Sequence, residues 1–340
     1  MNLRTLVALW KANVPHWVWI ISPAWVGAVL LALDGASPNW GTLLLFASTI
    51  LTIQFIAEFA NSYTDREEDA IYGPTNTLVT GELSPDTARK VFLAQNMLAG
   101  ILLIALLVVT LNYLLIAIML AGWFFGLAYS LQPFRLKETI HSPFSHGIAL
   151  ALLPLAGWLI IAPLNDFIIA FSAFLFLHSY GLGITLKFRK TLLALDSGLV
   201  KLEEGRSLYE IRTIGFGMKF RNAMHIEAMT SLGGFVLVPI FWHLGVFAAP
   251  LSIALLAVPL PLTALAVLVR YQHPVKNSSV YKILMTVAWI SIVLVFLGSA
   301  LTSFVYYSVA VLICLLFLFG FPLMVKLVHP WGSKSLGGRY

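Results

Sequence analysis

Residues 91–131 read VFLAQNMLAGILLIALLVVTL (91–111), then Asn112, then YLLIAIMLAGWFFGLAYSL (113–131). Neither apolar run holds an Asp, Glu, Lys or Arg. A helix needs about 20 mostly apolar residues to cross the hydrocarbon core of a bilayer, so each run predicts one crossing, with Asn112 as the turn. Working outward, the same pattern recurs at about 14–33, 41–60, 146–164, 167–186, 224–244, 247–270, 281–301 and 304–327. The reading is ten spans. No small-residue cleavage site follows the run 14–33, which is therefore read as a first span rather than a signal peptide. The chain is 59% hydrophobic and 11% charged over 340 residues, against roughly 25% charged in soluble domains. Lipid is the solvent that such a surface fits. The single cysteine, Cys314, excludes a disulfide framework.

The loops alternate in charge. The turns around Asp34–Trp40, Asn112, Asn165–Asp166, Leu244–Gly245 and Thr302–Ser303 carry no Lys or Arg. The termini and the other loops carry the basic residues, from Arg4 and Lys11 to Lys334 and Arg339. The positive-inside rule then predicts cytoplasmic N and C termini and an even number of spans, in the cytoplasmic membrane of a prokaryote. The net charge of +6 is a topology signal. It is scattered over loops without a continuous stripe, which argues against nucleic-acid binding. The long loops 61–90 and 187–223 lie on the basic side, where polar chemistry is expected.

The end of the second span reads Gln54-Phe-Ile-Ala-Glu58-Phe-Ala-Asn61-Ser-Tyr-Thr-Asp65-Arg-Glu-Glu-Asp69. If the helix continues, residues 54, 58, 61, 65 and 69 share one face within about 80° of arc at 3.6 residues per turn. Like charges one turn apart repel. A divalent cation between them removes that cost, and Mg²⁺ takes carboxylate and amide oxygens together with substrate phosphates. The stripe predicts a Mg²⁺–diphosphate site at the cytoplasmic membrane surface. Glu58 lies inside an apolar span, where an ionisable group is a functional candidate.

The run Asn61-x3-Asp65-x3-Asp69-x4-Pro74 resembles the first Asp-rich motif of the UbiA superfamily of intramembrane prenyltransferases, usually written NDxxDxxxD. Ser62 replaces the usual Asp, and Asn76 stands where an Arg is common. After the fourth span, Tyr129-Ser130-Leu-Gln-Pro133-Phe-Arg135-Leu136-Lys137 is similar to the family's Tyr-Ser-x-x-Pro-x-Arg-Leu-Lys signature. The resemblance implies that Asn61, Asp65 and Asp69 hold Mg²⁺ and a prenyl diphosphate. It implies that Arg135 or Lys137 contacts the diphosphate, and that Tyr129 lines the reaction cavity.

The family's second Asp-rich motif follows the sixth span, as DxxxD before G-x-R-T-L. Here the loop reads Asp196-x3-Val200-Lys-Leu-Glu203-Glu204-Gly205-Arg206-Ser207-Leu208. Placing Arg206-Ser-Leu on Arg-Thr-Leu puts Asp196 on the first Asp, Val200 on the second and Glu204 on the Gly. A one-residue slip makes Gly205 the Gly and leaves both Asp positions unmatched. Asp196 is the candidate substrate and metal ligand of this loop, and Glu203 or Glu204 is left to supply an oxygen from another geometry. Lys187, Arg189 and Lys190 read as membrane-surface anchors, with attraction of the diphosphate as the alternative. His178, Ser179 and Tyr180 fall mid-span. His225 and Glu227 are expected at the membrane interface, as are His243 and Tyr306–Tyr307. Trp17, Trp19, Trp25, Trp123 and Phe124 are candidates to line an apolar cavity.

The resemblance implies an all-α, polytopic bundle of nine to ten spans around a central cavity open to the cytoplasmic side. It covers about residues 10–245 of a single 1–340 domain, with extra spans over 247–327. The implied activity is Mg²⁺-dependent transfer from a prenyl diphosphate to a lipophilic, aromatic or quinone-precursor acceptor in the bilayer. A terpene cyclase of the same family shares the ionisation. A transporter fits the spans but not the carboxylates at the rim, and a family member that has lost catalysis and only binds a lipid is a third alternative.

Overall fold

The computed structural model describes residues 3–12, 15–33, 39–72, 76–196, 207–213, 216–272 and 278–300, with positions 308 and 312. Twelve α-helices run through them. They are α1 (Leu3–Ala12), α2 (Pro15–Leu33), α3 (Trp40–Thr64), α4 (Arg66–Tyr72), α5 (Pro85–Thr110), α6 (Tyr113–Ser130), α7 (Ser142–Leu159), α8 (Asp166–Asp196), α9 (Phe220–His243), α10 (Ala249–Ala257), α11 (Pro259–Gln272) and α12 (Ser278–Ala300). Among the described residues there is no strand, only an isolated bridge between Arg212 and Lys219. Seven segments are long and apolar enough to cross a membrane: α3, α5, α6, α7, α8, α9 and α10 with α11. Shorter apolar helices lie at Ile21–Leu33 and Val287–Phe296. Nine of the expected spans thus fall on described helices. The expected last span, 304–327, lies outside the described residues apart from positions 308 and 312, as do Tyr306–Tyr307 and Cys314.

Short polar side chains set the helix starts. Asn39 Oδ1 accepts from Thr42 N at 3.1 Å, Asn112 Oδ1 from Leu115 N at 3.0 Å and Asn165 Oδ1 from Ile168 N at 3.0 Å. Ser84 Oγ caps α5, with Pro85 in its first turn. Each cap satisfies an amide that the helix cannot, which matters most where no water reaches. The stripe Met97, Ile101, Ile104 and Val108 of α5 is exposed. Its spacing marks an outward face that lipid would cover.

One apolar core joins α2, α3, α5, α6, α7, α8, α9, α10 and α12. Helix α7 is central, packing on α8, α2 and α6. Small residues set the closest approaches. A Cβ on Gly157 would meet the Trp25 carbonyl oxygen at 2.3 Å, and one on Gly126 would meet Ala57 Cβ at 3.0 Å. The pattern of small residues at interfaces is what packing in lipid favours.

Two elements differ from the sequence expectation. Helix α1 precedes the first span, burying Ala8, Leu9 and Ala12 against Phe59, Leu83 and Ala88 while exposing Leu3, Leu6 and Trp10. Its run is too short to register as a span. Helix α8 continues past residue 186 to Asp196, so Lys187 belongs to a continuous helix and not to a loop.

Candidate active site

The polar face of α3 behaves as its spacing predicts, with one modification. The helix ends at Thr64, with Asp65 as its C-cap, and α4 starts at Arg66. Asp65 N still bonds Asn61 O at 2.9 Å, and Asp69 N bonds Asp65 O at 2.7 Å. The i to i+4 rhythm therefore carries across the junction.

Lys137 closes this face. It sits on the short 3₁₀ turn Leu136–Glu138, which is entered through Arg135 in the left-handed region at φ 36°. Its side chain is 3% exposed. Its Nζ forms an ion pair with Asp65 Oδ1 and donates to Thr64 Oγ1 at 2.7 Å and Asn61 Oδ1 at 3.4 Å. Ser130 Oγ, at the end of α6, donates to the same Asn61 Oδ1 at 3.3 Å. The two halves of the expected site, far apart in sequence, thus meet at one point. Arg135 does not join them. Its guanidinium pairs with Glu138 at 2.8 Å, and both side chains are partly exposed. Of the two basic candidates at this turn, Lys137 is the one at the carboxylates.

Asn76 takes up the position where a family Arg is common. It is buried, and its Nδ2 donates to Asp69 Oδ2 at 2.9 Å and to Ser62 O at 2.6 Å. Its Oδ1 accepts from Leu78 N at 2.9 Å. Ser62, which replaces the motif's Asp, donates to Ala12 O at 2.8 Å and ties α3 to α1. Asn76 thus ties the segment after α4 to Asp69 and to the end of α3, and Ser62 fastens α3 to α1.

Lys187 corrects the sequence reading. Expected as a surface anchor, it is 4% exposed. Its Nζ donates to the Lys137 carbonyl oxygen and lies 5.5 Å from the Tyr129 ring centroid. A lysine exactly at the end of an apolar run looks like an anchor in any linear reading; only the continuation of α8 buries it. Tyr129 stands at this upper corner, one turn above Gly126, and is not among the residues lining the apolar cavity below.

That cavity lies among α2, α3, α6 and α7 and has a volume of about 100 Å³. Small residues on facing helices leave the room: Ala57, Gly122, Gly126, Ala149 and Ala156. Glu58 and Gln54 enter it from α3. The expected aromatic lining is not found among the described residues: Trp25 packs edge-on against Phe46, Phe124 is exposed, and Trp123 packs on the core. The side chains of Trp17 and Trp19 are outside the description.

Asp196 ends α8 with its side chain undescribed, and Glu203, Glu204 and Arg206 lie outside the described residues. Glu227 is a further correction. It is buried, not interfacial, and faces Arg270 Nε at 4.0 Å, whose guanidinium lies 5.1 Å from the Phe188 ring. His225, beside it, is exposed and bonds Tyr271 Oη at 2.7 Å. His178 is fully buried, stacked at 6.1 Å on Trp289, away from the cavity.

Whether the cluster suits a metal is answered by its donors. Among the described residues no three His, Cys, Asp or Glu side chains group to hold an ion. The oxygens come instead from one carboxylate (Asp65), one amide (Asn61) and two hydroxyls (Thr64, Ser130), with Asp69 one turn on. Those of Asp65, Thr64 and Asn61 already surround a cation, the Lys137 ammonium. Hard oxygen donors around a positive charge fit Mg²⁺.

Fold and site together define an all-helical membrane protein with an oxygen-and-lysine cluster above an apolar chamber. The chain belongs to the UbiA prenyltransferase family, whose family model matches residues 20–286. It is 33% identical over 175 residues to a 4-hydroxybenzoate octaprenyltransferase of Xylella fastidiosa (strain M12), covering 45% of this chain and 54% of the relative. It is 33% identical over 158 residues to one of Xanthomonas euvesicatoria pv. vesicatoria (strain 85-10), covering 42% and 49%. The chain spans about half the length of the curated relatives it matches. Its fold is similar to a structure concerning digeranylgeranylglyceryl phosphate synthase, with a TM-score of 0.60 at 17% identity over 88% of this chain and 100% of that one. It is also similar to a UbiA homolog from Archaeoglobus fulgidus bound to GPP and Mg²⁺, with a TM-score of 0.59 at 15% identity over 94% and 99%.

Proposed function

We propose that this protein transfers a prenyl group from a prenyl diphosphate to a lipophilic, aromatic or quinone-precursor acceptor within the membrane, and that it requires Mg²⁺. The observation that carries the reading is the meeting of Asn61 and Asp65 with Lys137 directly above an apolar cavity. The family membership and the names of the relatives support it. In this reading the 1–340 chain is one domain of nine to ten spans, with both termini and the cavity mouth on the cytoplasmic side.

Asn61, Asp65 and Asp69 would hold the Mg²⁺, whose charge offsets that of a departing diphosphate. Lys137 then turns from its carboxylate partner to the diphosphate oxygens, as a point charge that stabilises the leaving group. Lys187 braces Lys137 through its carbonyl oxygen. The carbon–oxygen bond of the prenyl diphosphate breaks with both electrons leaving on oxygen. The allylic cation lies against Tyr129 and the upper cavity, where an aromatic face stabilises positive charge. The acceptor carbon supplies the electron pair of the new carbon–carbon bond and afterwards loses its proton. The apolar walls keep water from capturing the cation.

The test is diphosphate release by the purified protein with prenyl diphosphates of ten to twenty carbons, with and without Mg²⁺ and candidate acceptors. Wild type should release diphosphate only with Mg²⁺. Asp65→Ala and Asp69→Ala should insert normally and lose that release. Full activity in either variant would sink the metal assignment.

A further inference from the structure

Gln54 and Glu58 are the two hydrogen-bonding side chains in a wall otherwise built of Ile, Leu, Ala, Gly and Met. They lie one helical turn apart on α3, a separation of about 5–6 Å between Cβ atoms. Gln54 is 6% exposed. Its Oε1 accepts from Ser22 Oγ of α2 at 3.3 Å, and its Nε2 is buried without a partner. Whichever way the amide is turned, Ser22 takes one polar atom and leaves the other to the cavity. Glu58 makes no hydrogen bond among the described residues. A buried polar atom left unpaired is costly and calls for an explanation. Gln54 Nε2 is such an atom, and with the half-buried Glu58 on the same cavity wall it points to a ligand that pairs with both.

Their depth separates this ligand from the diphosphate. Glu58 lies three residues below Asn61 and seven below Asp65, about 4.5 and 10 Å along the helix axis. Lys137, Thr64 and Ser130 all engage the upper positions. We infer that Gln54 and Glu58 select the acceptor. They would take amphiphiles that carry a hydroxyl for the Glu58 carboxyl and a second hydroxyl or carbonyl oxygen for Gln54, the two oxygens held apart by a ring. This rests on the transferase reading and names its substrate class. The ring then lies between its polar anchor and the rim, with its reactive carbon toward the prenyl group. An acceptor without these oxygens leaves both wall groups unpaired, and a polar site rejects such analogues more strongly than an apolar pocket rejects a change of size.

The test is a binding cycle that does not depend on turnover. The probes are 4-hydroxyacetophenone, its O-methyl ether and 4-ethylphenol, with affinities measured by ligand-observed NMR on the protein in detergent. The proteins are wild type, Glu58→Met and Gln54→Met, substitutions of similar volume that leave no buried polar group behind. In wild type, methylating the hydroxyl should weaken binding about tenfold; in Glu58→Met the same change should cost less than twofold. Loss of the carbonyl, in 4-ethylphenol, should behave in the same way against Gln54→Met. With turnover, each variant should raise the acceptor KM at least tenfold more than the prenyl diphosphate KM. Equal losses in wild type and variants, or two KM values rising together, would overturn the assignment. A cycle that holds in a protein that releases no diphosphate would sink the transferase reading and leave the polar pocket standing.

Discussion

Replacing Lys137 with Met separates the two cations that the rim cluster can accommodate. The methionine keeps the length of the apolar stem and deletes the ammonium. In wild type that ammonium is 3% exposed and pairs with Asp65, which is 20% exposed, and it donates to Thr64 and Asn61. Exposed ion pairs contribute about 0–1 kcal/mol, whereas removing one partner of a buried pair costs about 3–5 kcal/mol. Asp65 keeps some access to water, so the expected loss lies between these, at about 2–3 kcal/mol. Thermal unfolding without Mg²⁺ should fall by about 3–4 °C for a chain of this size. Adding Mg²⁺ narrows the gap. In wild type the ion must displace the ammonium, while in Lys137→Met the oxygens are vacant. A tenfold tighter Mg²⁺ affinity in the variant would restore about 1.4 kcal/mol at saturating ion. The assay is a melting series over Mg²⁺ concentration in one detergent, for both proteins, beside diphosphate release. The variant should melt earlier without Mg²⁺, gain more from Mg²⁺ and turn over slowly. Equal melting temperatures without the ion, or equal gains from it, would refute the view that Lys137 occupies a cation site.

Two further substitutions probe what supports the site. Asn76→Ala removes three hydrogen bonds, to Ser62, Asp69 and Leu78, and should cost about 2–3 kcal/mol, read as faster amide exchange over Asn76–Leu83; unchanged exchange would show that this segment is ordered by something else. Gly157→Ala places a Cβ 2.3 Å from the Trp25 carbonyl oxygen and should destabilise the α2–α7 contact by about 1–3 kcal/mol. The control is Gly100→Ala, where a Cβ meets nothing within 4 Å and the melting temperature should not fall.

The span pattern is readable from the chain because crossing a bilayer is a local requirement. A run such as 91–111 must be apolar along its whole length whatever its neighbours are, and caps such as Asn112 act within three residues. The stripe from Gln54 to Asp69 is equally local, since helical periodicity places those side chains on one face before any packing is known. Local signals could not reveal α1, whose exposed apolar face and small buried residues make sense only against Phe59 and Leu83.

What the tertiary structure decided is which groups meet. Arg135 and Lys137 are two residues apart and equally basic, yet the left-handed backbone at Arg135 sends one to Glu138 and the other to Asp65. Lys187 and Glu227 sit at span ends, where a linear reading places them in the interface; burial follows from partners on other helices, the Lys137 carbonyl and Arg270. Gln54 and Glu58 open onto a cavity because α6 and α7 bring glycine and alanine opposite them. Periodicity orients a side chain, but its partner is set by long-range packing. A site that joins residue 61 to residue 137 is therefore visible in the sequence as two halves, and as one place only once the helices are assembled.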